Sequence, residues 1–190
     1  MTPQRAAFHV LVTGTLSPNV ASTCSLILDG VARIVIDPGL APSQAAILDP
    51  LRALGLAPTD ITDVVISHHH PDHALNVALF PMARVHDHWA VYDFAGRWDS
   101  LESEGRQVSP NVSLMRTPGH STQDISTVAL TGDGTVVFTH AWWTADKPVD
   151  DPYSDDLSEL RASRARILAM ADVIVPGHGE PFRPSDSTPR

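Results

Sequence analysis

The sequence predicts an α/β domain, and three observations carry the prediction. Short β-branched or apolar runs bounded by Gly, Pro or Asp recur along the chain. Only two stretches repeat apolar residues at helical spacing over three turns or more. The length, 190 residues, is that of one domain, which at this size buries roughly 70% of the surface its unfolded chain exposes. A core is thus available without disulfides, and the single cysteine, Cys24, reads as a buried structural thiol.

Phe8 to Thr13, Cys24 to Leu28 and Arg33 to Ile36 read as strands. Ser43 to Leu54 reads as a helix, with Ser43 as N-cap, Gly55 just beyond its end, and Ala46, Ile47, Leu51 and Leu54 on one face. Ile61 to Ile66 is a short apolar run that ends at Ser67. A short helix near Leu75 to Leu79, a strand near Ala83 to His86 and a less regular stretch through Trp98 follow. Val112 to Arg116, Ile125 to Leu130 and Val136 to Thr139 are further strands, the last two joined by a Gly-Asp-Gly turn. Asp156 to Ala171 is the second helix: Asp156 and Glu159 resemble a capping box, and Leu157, Leu160, Arg164, Ile167, Leu168 and Ala171 share a face. Val173 to Val175 is a last strand. Residues 1–183 form the domain, and the Pro- and Ser-rich residues 184–190 are expected to fray. The five aspartates between Asp146 and Asp156 read as a solvated loop.

Charge and hydropathy exclude several roles. A formal net charge of −9 disfavours a broad basic face for nucleic acid. No apolar run approaches the 18 residues of a membrane span, and Met1 to Thr15 makes a poor signal peptide, so a cytoplasmic location is expected. The unusual figure in the composition is ten histidines.

Three of them stand with a carboxylate where an apolar strand ends, as His68-x-His70-x-Asp72-His73. Imidazole and carboxylate suit zinc, iron, nickel or manganese. Residues two apart in extended chain point the same way, so His68 and His70 can take one ion together, while Asp72 and His73, after Pro71, are free to face a second. His120 in Thr117-Pro-Gly-His-Ser121 and His178 in Pro176-Gly-His-Gly179 also follow short strands, each lifted off the strand end by a Pro-Gly turn.

Together with Ile36-Asp-Pro-Gly39, these motifs resemble the metallo-β-lactamase superfamily over essentially the whole chain. The resemblance implies a four-layer αβ/βα sandwich, two facing mixed sheets with outer helices and the metals at one edge. It implies His68, His70 and His120 for a first ion, Asp72, His73 and His178 for a second, and Asp37 as a carboxylate that orients a ligand histidine. Two zinc ions per chain are the expected cofactor, with iron, manganese or nickel as alternatives. The implied reaction is hydrolysis of a small ester, lactone, thioester or phosphodiester by a metal-bound hydroxide, with Asp72 as the catalytic carboxylate that orients it. The terminal Pro-Gly-His178-Gly motif also resembles a branch that includes ribonucleases, which gives an alternative as a phosphodiesterase.

One departure stands out. Many hydrolases of the superfamily carry Thr-Gly-Asp at a strand end, with the Asp bridging two metals. Here Thr139 is followed by His140 and Ala141, so the bridge is missing. Three consequences are open: two ions held without a bridge, His140 as a substitute ligand for one ion, or a single-metal centre. A non-hydrolytic metal-binding protein with a degraded second site belongs to the last of these. Asp146, Asp150 or Asp151 could also supply a carboxylate from the next loop. Trp142 and Trp143 either wall a pocket for a small-molecule substrate or serve as core or homodimer contacts.

Overall fold

The computed structural model describes residues 4–190. Two sheets face each other. The first has seven strands in chain order, β1 (Ala7–Val12), β2 (Cys24–Asp29), β3 (Ala32–Ile36), β4 (Asp63–Val65), β5 (Arg84–His86), β6 (Ala90–Asp93) and β7 (Trp98–Ser100). The second has five strands, β8 (Gln107–Ser109), β9 (Val112–Arg116), β10 (Ile125–Thr131), β11 (Gly134–Thr139) and β12 (Val173–Pro176), in the order 12-11-10-9-8. Both sheets are mixed: β3, β4 and β5 run parallel, as do β11 and β12, and the other neighbours are antiparallel.

The two-residue alternation of the strands sorts their side chains into separate layers. Ile27, Ile34, Ile36 and Val65 of the first sheet meet Val112, Leu114, Ile125, Val136 and Phe138 of the second. Their alternate neighbours Leu26, Val35, Val64 and Val85 pack outward on Ile47 and Leu51 of α1 (Gln44–Ala53). On the other side Met115, Val128, Val137 and Ile174 pack on Leu160 and Ile167 of α3 (Leu157–Leu168). The result is the expected four-layer αβ/βα sandwich. Asp156 caps α3 by accepting from the amides of Ser158 and Glu159.

Several local expectations need correction. The helix expected near Leu75 to Leu79 is split into α2 (Pro71–Ala74), which Pro71 starts, and a single 3₁₀ turn over Val77–Leu79. Strand β6 and the start of β7 emerge from the stretch read as irregular, and β8 lies beyond it where no element was expected. The segment 184–190, expected to fray, folds back: the Trp142 indole donates to the Pro189 carbonyl at 2.9 Å, and Thr188 and Pro189 are buried. Among the described residues no helix is long and apolar enough to cross a membrane.

Candidate metal centre

Parallel strands end at the same edge of a sheet, and this delivers the site. β3 runs into Asp37 and β4 into Ser67 and His68, while β11 runs into His140 and β12 into Gly177 and His178. The Ile125 amide donates to the Ser67 carbonyl at 2.9 Å, and the Thr23 amide to the Gly177 carbonyl at 2.7 Å, which ties the two sheets together at this edge. The loop after β9 brings His120.

Four histidines have Nδ1 engaged, which aims Nε2 at a common centre. His68 Nδ1 meets the Ser67 hydroxyl at 3.0 Å, and His73 Nδ1 meets Asp37 Oδ2 at 2.8 Å. His120 Nδ1 meets Asp151 Oδ2 at 2.7 Å, and His178 Nδ1 donates to the Ala21 carbonyl at 2.9 Å. His70, from the exposed side, offers Nδ1 instead, 2.9 Å from His68 Nε2 and 3.2 Å from His120 Nε2. Asp72 Oδ2 lies 3.5 Å from His73 Nε2 and 3.6 Å from His178 Nε2. All six residues expected as ligands therefore converge. His69, in the same run, turns away to Asp87 at 3.2 Å.

These separations fit an ion. Nitrogens around a tetrahedral zinc, each about 2.0–2.1 Å from it, stand about 3.3 Å apart. Nε2 of His73 is buried without any hydrogen-bond partner. Burial, reinforced by the other histidines, pushes the pKa of His68 well below the usual imidazole range; burial also lowers those of His70 and His178. A neutral ring keeps the lone pair a metal needs. At His120 burial works the same way but is outweighed by the Asp151 hydrogen bond and by Asp124, so its pKa is raised.

Asp37 does the work expected of it and more. Its Oδ1 accepts from the Ser67 amide at 2.7 Å, and its Oδ2 accepts from the Ser67 hydroxyl at 2.7 Å as well as from His73. Its φ of 48° is a left-handed conformation that Asp tolerates better than most side chains. Gly39 lets this turn press against the metal motif, since a Cβ there would stand 1.6 Å from the Asp72 carbonyl oxygen.

The sequence offered Asp151 only alongside Asp146 and Asp150 as a carboxylate from this loop, and the reading of the loop as solvated needs correction here. Asp146, Asp150, Asp155 and Asp156 are exposed, but Asp151 is buried. Besides His120, its Oδ2 accepts from Trp143 Nε1 at 3.2 Å, and its Oδ1 accepts from the Tyr153 amide at 2.9 Å. Burial raises its carboxyl pKa, and the bonds from His120, Tyr153 and Trp143 more than reverse that, so it is lowered overall. The fully buried Arg164 holds the loop in place by donating to the carbonyls of Ala141, Pro148 and Val149.

The tryptophan pair divides. Trp142 is fully buried under α3, whereas Trp143 stacks on Tyr153 with ring centroids 5.8 Å apart and lines a cavity. This cavity, about 310 Å³, is lined by His70, Asp72, His120, His140 and His178 together with Leu16, Val20, Trp143 and Tyr153.

The neighbouring positions 140 and 141 also divide. Val136 and Phe138 face the core between the sheets, and His140 continues their alternation into the centre, buried. Ala141 packs outward with Trp142 and Leu160. The position that a residue-for-residue alignment gives to the bridging carboxylate thus points away from the metals' edge.

A family model described as "Metallo-beta-lactamase superfamily" matches residues 18–113, which take in Asp37 and the His68 to His73 motif. The chain belongs to the metallo-β-lactamase superfamily. It is 37% identical over 179 residues to metallo-beta-lactamase domain-containing protein 1 of Homo sapiens, covering 88% of this chain and 66% of that protein. The Xenopus laevis protein of the same name is 34% identical over 168 residues, covering 83% of this chain and 70% of that one. The chain thus spans about two thirds of the length of these relatives. Among solved structures, a protein of metallo-beta-lactamase type from Thermotoga maritima superposes with a TM-score of 0.74 at 23% identity, covering 95% of this chain and all of that one. A quorum-quenching N-acyl homoserine lactone lactonase gives a TM-score of 0.69 at 21% identity, covering 94% and 93%. These two share the fold.

Proposed function

We propose that this protein is a metal-dependent hydrolase of small uncharged acyl compounds: esters, lactones or thioesters. The observation that carries the reading is the cavity lined by the donor cluster, whose lining includes no Lys or Arg among the described residues. Phosphodiesters and other anionic substrates are gripped by guanidinium or ammonium groups. The aliphatic and aromatic walls instead suit an apolar acyl or alcohol group, and a net charge of −9 works against a polyanion.

His68, His70 and His120 would hold one divalent ion, and Asp72, His73 and His178 a second; zinc suits both sets. When bound, such ions polarise a substrate oxygen and bring the pKa of water near 7, so a nucleophile exists at neutral pH. The chain supplies the rest. Asp37, Asp151, Ser67 and the Ala21 carbonyl fix the rings, so little reorganisation is left for the reaction. Asp72 is the least enclosed carboxylate at the centre, with its side chain 21% exposed. It orients the attacking water through Oδ and passes the proton on to the leaving group. Trp143 and Tyr153 hold the apolar part of the substrate together with Leu16 and Val20.

The test is an assay of zinc-loaded protein against activated acetyl and hexanoyl esters, a lactone, a thioester and an aryl phosphodiester. Turnover of acyl substrates is expected, with D72N slower by about 100-fold or more. Faster turnover of the phosphodiester, or none of any acyl compound, overturns the reading.

A further inference from the structure

We infer that His140 is the fourth ligand of the second ion, replacing the missing bridging carboxylate with a nitrogen that serves one position only. The inference rests on the two-position reading above and specifies how the positions differ. Strand alternation delivers the ring: Val136 and Phe138 point to one side of β11, and His140, the first residue past the strand's end, continues that alternation into the histidine cluster. The fold makes room for it at Gly177, where a Cβ would stand 2.4 Å from His140 Cδ2. No other residue type fits beside that ring, because even the smallest side chain would strike it.

The His140 ring lies nearer to His120 and His68, with centroids 4.2 and 4.6 Å away, than to His178 at 5.2 Å, so the ligating nitrogen and not the ring centre selects the position. His140 lies close enough to share a cation with His68 and His120 or with His73 and His178. Its Nε2 is 3.2 Å from His178 Nε2, the separation expected of two ligands on one tetrahedral zinc. His73, His140 and His178 form one group of converging donors, and Asp72 Oδ2 approaches two of them, 3.5 Å from His73 Nε2 and 3.6 Å from His178 Nε2. The other nitrogen, Nδ1, is buried without a partner.

A carboxylate can give one oxygen to each of two ions, but a neutral imidazole has a single lone pair. The second position is therefore closed by four protein donors. The first keeps three histidines and an open place facing the cavity, and three protein donors with one open place is the pattern of catalytic zinc sites, as four donors is of structural ones. The two ions should bind with unequal affinity, the closed position tighter.

Titration of the metal-free protein with zinc against a chromophoric chelator, and with cobalt followed by its visible bands, tests this without using activity. Wild type should show two classes. His140→Ala should weaken the tighter class by about 100-fold or more, beyond the 10–100-fold typical of losing an outer partner, and leave the weaker class within about threefold. His70→Ala should do the reverse. His140→Phe, which keeps a ring and removes both nitrogens, should repeat the His140→Ala result if the smaller variant folds poorly by circular dichroism. Two unchanged classes in both His140 variants overturn the inference, as does loss of the class that His70→Ala also weakens. A wild type that takes up neither zinc nor cobalt overturns the metal reading beneath it.

Discussion

Asp37 and Asp151 are buried carboxylates that do matching work from opposite sides of the centre. Each holds Nδ1 of a histidine, His73 at 2.8 Å and His120 at 2.7 Å, so that Nε2 faces inward. They differ in what else they hold. Asp37 accepts from the backbone and hydroxyl of Ser67, so it also governs the start of the metal motif. Asp151 accepts from Trp143 and from the Tyr153 amide, so it joins a ligand to the wall of the cavity. On the proposed reading, one carboxylate supports metal and fold, and the other supports metal and substrate.

Breaking each in turn should separate these roles. The largest effect is expected for Asp37→Ala, which strands three buried donors at about 1–3 kcal/mol each. Thermal unfolding of the metal-free variant should show a loss of several kcal/mol, and zinc retention should collapse. Asp151→Asn should weaken zinc at the first position by about 10–100-fold and also raise KM for hexanoyl over acetyl esters. An unchanged KM ratio would mean that Trp143 and Tyr153 do not depend on Asp151. Trp143→Ala isolates the wall: zinc binding should stay at the wild-type level while KM for the hexanoyl ester rises about tenfold.

A pH effect comes next, from a carboxylate remote from the metals. Asp29 accepts from Ser109 and Asn111 and so ties β2 to the second sheet. Burial opposes its ionisation, but these bonds outweigh it and hold its pKa below the ordinary 3.8. Its contribution is thus present above about pH 4 and is lost as pH falls through the depressed folded value. Asp29→Asn should flatten the fall of Tm on acidification below pH 4. Smallest of all, Arg52→Ala breaks only an exposed pair with Asp49 and should shift stability by less than about 0.5 kcal/mol.

The contrast between the two carboxylates also explains what the sequence could reveal. Asp37 was legible through the family resemblance, because Ile36-Asp-Pro-Gly39 is one of the motifs that carry it. Asp151 has the same chemistry but sits among aspartates that remain in solvent, and only the fold distinguishes it. Arg164, which donates to the carbonyls of Pro148 and Val149 just before it, did stand in the sequence as a charged residue on the apolar face of a helix. Layers and long strands were readable because buried apolar residues leave runs and alternation. β7 was not, since all three of its residues are exposed. The carboxyl-terminal residues were misjudged by composition, which cannot register one indole bond to a proline carbonyl. Position 140 needed the structure because alignment by motif and alternation along the strand give opposite answers at that point.

The central claim is a centre with two metal positions, and metal content per chain tests it most directly. Protein purified without added metal should carry close to two equivalents of divalent ion by elemental analysis, falling to one in His140→Ala. One equivalent or less in the wild type under the same conditions would contradict the account.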